Sequence, residues 1–307
     1  MYSKTLFFLL LIPFILSAQP DKLYTNIEEA LMSPKDVFRL ELINMNLETV
    51  PKEVFLFHNL KELILAGNKL SELPEEISKL SNLEFLDLYS NRFKKFPEVI
   101  CRMPNLQKLN IGFNYLKQLP PCFSELKSVQ SLHLGVNYLG ECTELFLPPY
   151  LDSLNLSGNR FKVIPKAVLN QQKLQILVFS ANYLNEIPKE LAQLKELKQL
   201  YLNQMELHSL PEELGNLNKL EVLNFSCVGI SPSYSELPES WKNLTNLKYL
   251  NIYGAKLSKW PKWLCQLHNL KVVNTSELKK VPKCIKPIVI ENADLKMDAL
   301  LKFLNNK

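Results

Sequence analysis

Apolar and polar residues follow one another along this chain with a period of 23 residues. The segment from Leu60 to Asn82 shows the unit in full, as LKELILAGNKLSELPEEISKLSN. Apolar residues occupy unit positions 1, 4, 6, 11, 14, 18 and 21, with asparagine at position 9 and proline at position 15. A fixed period of this length indicates a solenoid, in which each unit buries its apolar edge against its neighbours.

Eleven such units can be laid out along the chain. Apolar residues at positions 4 and 6 alternate as in a short strand, and both are predicted to point into the core. Successive strands should pair in parallel and form one curved sheet about 50 Å long. The units begin at Val37, Leu60, Leu83, Leu106, Val129, Leu151, Leu174, Leu197, Leu220, Leu247 and Leu270.

The pattern LxxLxLxxNxLxxLPxxLxxLxx resembles the leucine-rich repeat family, and its proline-containing unit looks like the exported bacterial class. The resemblance implies an α/β solenoid with a curved parallel sheet on its concave side and short helical or irregular segments on its convex side. Proline at position 15 is predicted to start a turn or helical segment. The position-9 asparagines are predicted to hydrogen-bond buried turn backbone, and they are Asn68, Asn91, Asn114, Asn137, Asn159 and Asn182.

Several units depart from this pattern. Met45, Met205, Val228 and Ala255 replace the asparagine, so the asparagine ladder is expected to break in the second half of the chain. The fifth unit lacks the position-15 proline, the ninth carries four extra residues, and the eleventh is two residues short. An inserted loop in a repeat protein can bind a partner. Sequence drift is the alternative, and it is favoured for an insertion this small.

The two ends of the chain differ from the repeats. Residues 1–18 read as a signal peptide, with Lys4 before the apolar run Leu6–Leu16 and Gln19 starting the mature chain. Residues 19–36 are expected to form an N-terminal cap, in which Thr25 and Glu28 make a capping box for a helix from Ile27 to Met32. Residues 37–287 hold the repeats. Residues 288–307 are expected to form a C-terminal cap, with a strand at 288–290 and an amphipathic helix at 294–304.

Four of the six cysteines stand in the same relation across two pairs of neighbouring units. In each pair the first cysteine lies at unit position 19 and the second at position 17 of the next unit. We therefore predict two disulfides on the convex side, Cys101–Cys122 and Cys265–Cys284, with four buried thiols as the alternative. Cys142 and Cys227 are expected to be free thiols, because they lie four units apart.

Composition excludes several function classes. The net charge of +5 arises from 36 basic and 31 acidic residues and is too small to indicate a nucleic-acid binder. Only 8 glycines are present, which is few for phosphate-binding loops. There is no CxxC motif and the four histidines are scattered, so we expect neither a metal nor a cofactor. Beyond the signal peptide no stretch is long and apolar enough to cross a membrane.

Unit positions 3, 5, 7 and 10 should line the concave face or its rim. Tyrosine and arginine recur there, and both are enriched at the centres of protein interfaces. An enzymatic interpretation would combine Ser131, His133 and Asp87 as a triad, but Asp87 lies two strands away and no oxyanion hole is indicated. The candidate partner-binding residues are Phe85, Tyr89, Arg92, Tyr115, His133, Tyr138, Arg160, Tyr183, Tyr201, Tyr249 and Tyr253.

The favoured function is that of an exported, non-enzymatic repeat protein that binds another protein, or a surface ligand, through its concave face. One alternative is an intracellular signalling scaffold similar to leucine-rich repeat proteins that associate with small GTPases. The other is the recognition module of an enzymatic complex, although this chain leaves no room for a catalytic domain.

Overall fold

The computed structural model describes residues 22–226, 236–255, 257–276 and 281–291. Thirteen short strands form one open, curved sheet, in which each strand pairs in parallel with its neighbours in the chain and the first and last strands form the edges. The repeats contribute eleven strands, as predicted, and one further strand lies at each end. The strands are β1 (Leu23–Tyr24), β2 (Arg39–Glu41), β3 (Glu62–Ile64), β4 (Phe85–Asp87), β5 (Lys108–Asn110), β6 (Ser131–His133), β7 (Ser153–Asn155), β8 (Ile176–Val178), β9 (Gln199–Tyr201), β10 (Val222–Asn224), β11 (Tyr249–Asn251), β12 (Val272–Asn274) and β13 (Val289–Ile290).

Short helical segments line the opposite side of the solenoid. Nine of them begin directly after a position-15 proline, which lacks the backbone donor that would be unpaired at a helix start. The α-helices are α1 (Ile27–Leu31) and α2 (Lys166–Leu169). The 3₁₀ segments are Pro34–Asp36, Lys52–Leu56, Glu75–Lys79, Glu98–Arg102, Pro121–Glu125, Leu139–Glu141, Lys189–Gln193, Glu212–Asn216, Glu239–Asn243, Lys262–Gln266 and Lys286–Ile288.

One continuous apolar core fills the space between the sheet and the helical segments. In the second repeat the leucines at positions 4 and 6, Leu63 and Leu65, are fully buried together with Ile77 from the 3₁₀ segment. The same positions are buried in repeat after repeat, because each unit presents its apolar edge to both neighbours.

The asparagine ladder forms as predicted. The Asn91 side-chain amide donates to the main-chain oxygens of Leu65 and Leu88, at 3.0 and 3.1 Å. Its side-chain oxygen accepts the backbone N–H of Leu70 at 3.0 Å. Each asparagine therefore satisfies buried backbone groups in its own repeat and in the repeat before it. Where the asparagine is missing, Met205 and Ala255 are buried as apolar core residues, whereas Met45 in the first repeat is exposed. Val228 lies outside the described residues.

The residue at unit position 8, just before the asparagine position, adopts a left-handed backbone conformation, which the sequence did not indicate. The φ angles at these nine position-8 residues lie between 53° and 86°. Eight of them donate their N–H to the position-7 carbonyl of the next repeat, so the conformation accompanies a ladder of hydrogen bonds between repeats. The nine residues are Asn44, Gly67, Ser90, Phe113, Val136, Gly158, Ala181, Gln204 and Gly254.

The N-terminal cap differs in detail from the prediction. Asn26, and not Thr25, is the N-cap residue of α1, because its extended backbone lets its side-chain oxygen accept the N–H of Glu29 at 3.1 Å. The helix ends at Leu31, with Met32 as its C-cap. The predicted last strand is present as β13. The predicted signal peptide at residues 1–18 and the predicted helix at 294–304 lie outside the described residues.

Both predicted disulfides are present on the convex side. Cys101 and Cys122 lie on successive 3₁₀ segments with their Cα atoms 5.9 Å apart, and Cys265 and Cys284 are 5.6 Å apart. Cys142 is a free, half-buried thiol, as predicted, while Cys227 lies outside the described residues. Within the described ranges, no helix is long and apolar enough to cross a membrane.

Candidate binding surface on the concave face and its rim

Side chains at unit positions 3, 5 and 7 stand in columns across the concave face. The parallel register aligns the position-5 residues Asp87, Asn110, His133 and Asn155 on four successive strands. A fixed register of this kind sets neighbours in a column one strand spacing apart, about 4.8 Å. Contacts within the face are therefore decided by which residues occupy adjacent repeats.

The first two residues of this column, Asp87 and Asn110, are polar and hydrogen-bonded to each other. Asn110 donates through its side-chain amide to the Asp87 carboxylate at 3.1 Å, and the backbone N–H of Tyr89 donates to the same carboxylate at 2.8 Å. Only 4% of Asp87 is exposed. Burial is the largest effect on this carboxyl group and raises its pKa to about 6, although both hydrogen bonds lower it.

His133 lies in a space that two glycines leave open. A Cβ atom added at Gly112 or Gly135 would lie 3.3 or 2.9 Å from the imidazole ring. Tyr89 stacks on the ring with their centroids 5.9 Å apart, and Tyr89 also contacts Phe113 at 5.8 Å. Burial lowers the pKa of His133 to about 4, so the imidazole is neutral at pH 7.

This geometry does not assemble the triad considered from the sequence. Asp87 is bonded to Asn110, which lies on the strand between it and His133. In the described part of the chain, no hydrogen bond links His133 to Ser131 or to Asp87. The same part of the chain holds no group of three or more histidine, cysteine or acidic side chains placed to hold a metal ion.

Further along the sheet the concave face is covered by apolar side chains. Tyr201 and Tyr249 are each only 1% exposed, and they pack with Val178, Val222 and Val272. The sequence predicted both tyrosines as partner contacts, but the structure buries them within this cluster. Bulky side chains on adjacent strands lie close enough to cover one another. Burial also raises the pKa of both phenols.

Two other predicted concave contacts keep part of their surface. Phe85 on β4 and Tyr253, which follows β11, are both partly exposed. They lie seven strands apart along the face, with most of the polar column and of the apolar cluster between them. The predicted residues on the concave face therefore form no single continuous patch.

The predicted rim residues do form a row, at position 10 of five consecutive repeats. We call Arg92, Tyr115, Tyr138, Arg160 and Tyr183 the rim column. The rings of Tyr115 and Tyr138 stack with their centroids 6.3 Å apart, and the Arg160 guanidinium lies 4.4 Å from the Tyr138 centroid. Tyr115 is 47% exposed and Tyr183 is 59% exposed.

An acidic residue holds part of the rim column in place. Glu141, in the irregular fifth repeat, contacts Arg160 and Lys117, each at 3.3 Å. Gly140 beside it lies against the backbone of the next repeat, where an added Cβ would come within 2.5 Å of Asn159. The unit without a position-15 proline therefore supports the stacked residues Tyr138 and Arg160.

A second asparagine ladder, on the outer surface, was missed from the sequence. These residues lie at position 23, just before each strand, and are exposed. Each donates its side-chain amide at 2.7 to 2.9 Å to a backbone carbonyl of the previous repeat or, for Asn59, of the segment before the first repeat. The recurrence of asparagine at this position was the available signal. The residues are Asn59, Asn82, Asn105, Asn246 and Asn269.

Comparison with known proteins agrees with this architecture. A model of the leucine-rich repeat region matches residues 37–147, and a leucine-rich repeat model matches residues 149–207. A leucine-rich repeat protein from Leptospira interrogans is 32% identical, with a TM-score of 0.70 over 88% of this chain and 76% of that chain. The chain belongs to the leucine-rich repeat family.

Two further solved structures extend the comparison. The leucine-rich repeat ectodomain of the Arabidopsis thaliana receptor kinase GASSHO1/SCHENGEN3, solved in complex with Casparian strip integrity factor 2, is 27% identical, with a TM-score of 0.61 over 77% of this chain and 29% of that chain. A Listeria monocytogenes internalin, InlF, shares the fold at 16% identity, with a TM-score of 0.54 over 88% of this chain and 90% of that chain. A search of curated proteins finds no match.

Proposed function

We propose that this chain is an exported, non-enzymatic leucine-rich repeat protein that binds a partner protein through its concave face and rim. The observation that carries the proposal is the rim column, in which Tyr115 and Tyr183 are about half exposed and Tyr115, Tyr138 and Arg160 are held in order by stacking. Rigid tyrosines bury a large area at little entropic cost when a partner binds. The receptor ectodomain that is 27% identical was solved with a bound factor, which is consistent with this use of the fold.

Export is supported by the disulfides and by the N-terminal segment. Disulfides persist in oxidising compartments and are rare in the cytosol, and this chain has two with suitable Cα separations. Residues 1–18 have the charge and apolar pattern of a signal peptide. Both observations argue against the intracellular scaffold. N-terminal sequencing of the secreted chain should find Gln19 first, and a chain retained in the cytosol with Met1 would contradict export.

The binding surface can be tested by affinity capture. The immobilised mature chain should retain a partner from extracellular and cell-surface proteins, and replacing Tyr115, Tyr138 and Tyr183 together by alanine should reduce retention at least about tenfold. Tyr150→Ala is the matched control, because Tyr150 is 46% exposed but precedes β7, at the opposite edge of the sheet. Equal retention by the native chain and the triple variant would contradict binding at the rim.

A further inference from the structure

The rim carries an excess of positive charge beside its tyrosines. At unit positions 10, 12 and 13 of the third to sixth repeats there are six basic residues and one acidic residue, and all six basic side chains are exposed. Their net charge of +5 equals the formal net charge of the whole chain, so the remaining residues sum to zero. We call this surface the basic rim, and its charged members are Arg92, Lys94, Lys95, Lys117, Glu141, Arg160 and Lys162.

The positive charge of the basic rim is only partly neutralised within the chain. Glu141 contacts both Lys117 and Arg160, which are 69% and 49% exposed at their side chains. The groove below Lys94 and Lys95 also contains glutamates of the first, second and third repeats. Within the described residues, Arg92, Lys94, Lys95 and Lys162 make no ion pair.

The tyrosines of the rim column are spaced to meet an extended chain. The ring centroids of Tyr115 and Tyr138 are 6.3 Å apart, and side chains on one face of an extended strand repeat about every 6.7 Å. Two alternate side chains of a peptide that crosses the repeats are therefore spaced to meet Tyr115 and Tyr138. At the strand spacing of about 4.8 Å, the five residues of the rim column span about 19 Å, which is the length of about six extended residues.

Because charge and spacing coincide on one surface, we propose that the basic rim binds an extended, acidic segment of a partner protein. In that complex, alternate side chains contact the tyrosines while carboxylates between them meet the lysines at position 12, which are Lys94, Lys117 and Lys162. Charge complementarity of this kind speeds association and selects the partner. This inference rests on the proposed function, since it names the kind of segment that the same rim would bind.

Fluorescence anisotropy with defined peptides tests the proposal. The probe is a labelled peptide of about eight residues that alternates glutamate and tyrosine, and the control peptide has glutamine in place of glutamate. The acidic peptide should bind the mature chain at least about tenfold more tightly than the control, and its affinity should fall as salt is raised. Equal binding of both peptides, or no binding of the acidic peptide, would overturn the proposal.

Matched charge variants locate the site. Changing Lys94, Lys117 and Lys162 together to glutamate should weaken binding of the acidic peptide at least about tenfold. The milder change of all three to glutamine should weaken its binding less. The control changes Lys79, Lys127 and Lys189 to glutamate, since these are exposed and lie in or next to the convex segments. This control variant has the same net charge as the rim variant with three glutamates, but its affinity for the acidic peptide should stay within about twofold of that of the native chain. An equal loss in the control would show attraction to net charge alone and overturn the proposal.

Dextran sulfate distinguishes a polyanion site from a peptide site. If it binds in a manner that depends on the three lysines while the acidic peptide does not bind, the basic rim binds a sulfated polymer and the peptide proposal is wrong. The capture experiment with the tyrosine variants is separate. If capture depends on the tyrosines but the acidic peptide does not bind, this inference alone is rejected. If the acidic peptide binds but capture does not depend on the tyrosines, the partner-protein function alone is rejected.

Discussion

The side-chain amide of Asn114 donates to the main-chain oxygen of Leu88, which lies 26 residues earlier, at 3.1 Å. The same amide reaches the oxygens of Ile111 and Gly112, and its side-chain oxygen accepts the N–H of Phe93. One side chain therefore satisfies backbone groups in two repeats. Since all of these groups are buried or partly buried, losing the side chain leaves several of them unpaired.

Replacing Asn114 by alanine should consequently lower the free energy of unfolding by about 2–4 kcal/mol. The matched control is Asn105→Ala in the outer ladder, where an exposed amide donates to the oxygen of Ser81 at 2.9 Å. Water can replace that hydrogen bond, so we expect a loss of less than about 1 kcal/mol. Urea unfolding of both variants measures the difference, and equal losses would mean that the inner ladder has no special role.

The left-handed backbone conformation at position 8 predicts that two substitutions on adjacent repeats have opposite effects on stability. Val136 has a φ of 57°, which is unfavourable for a β-branched residue, and Gly158 has a φ of 64° at the equivalent position. Val136→Gly should stabilise the chain by about 1 kcal/mol, and Gly158→Val should destabilise it by about 1–2 kcal/mol. An added Cβ at Gly158 meets no atom closer than 3.4 Å, so the Cβ atom itself is not crowded. Thermal unfolding of both variants should show shifts of opposite sign.

Two groups on the concave face should have opposite effects on the pH dependence of stability. The pKa of Asp87 in the folded chain, about 6, lies above its ordinary value of 3.8. The stability that this group contributes is therefore fully present below pH 3.8 and is lost as the pH rises through 6. The folded pKa of His133, about 4, lies below 6.5, so its contribution is complete above pH 6.5 and is lost as the pH falls through 4. Each amounts to about 3 kcal/mol, and in the native chain they offset each other.

Single substitutions should therefore reveal each contribution. Relative to the native chain, Asp87→Asn should lose about 3 kcal/mol of stability between pH 7 and pH 4, because only the histidine effect is left. His133→Asn should gain a similar amount over the same range. Urea midpoints at the two pH values decide the outcome, and parallel pH profiles for the native chain and both variants would contradict the burial of these groups.

The disulfide Cys101–Cys122 should stabilise the solenoid mainly by restricting the unfolded chain. The two cysteines are 21 residues apart, and changing both to serine should cost about 3 kcal/mol. Cys142→Ser, which removes a free thiol, should cost much less. Unfolding of the native chain and both variants, with and without a reducing agent, checks this. If the reducing agent lowers the stability of the native chain no more than that of the double variant, this disulfide contributes nothing.

Much of the architecture could be predicted because each unit contacts only the units beside it. The period located eleven strands, the position-15 prolines and the six inner asparagines, and the recurring spacing of the cysteines located both disulfides. The N-cap residue of α1 was misplaced by one residue, from Asn26 to Thr25. Both residues are good N-caps, and only the backbone conformation decides between them.

The sequence by itself determined which residues reach the concave face and its rim, since position within a unit sets the direction of a side chain. Tertiary structure decided which of them are exposed. Tyr201 and Tyr249 are covered by neighbours on adjacent strands, whereas Tyr115 and Tyr183 lie beyond the strand ends, where fewer side chains cover them. The exposure of a side chain depends on the sizes of residues one or two repeats away, and these sizes vary while the period does not.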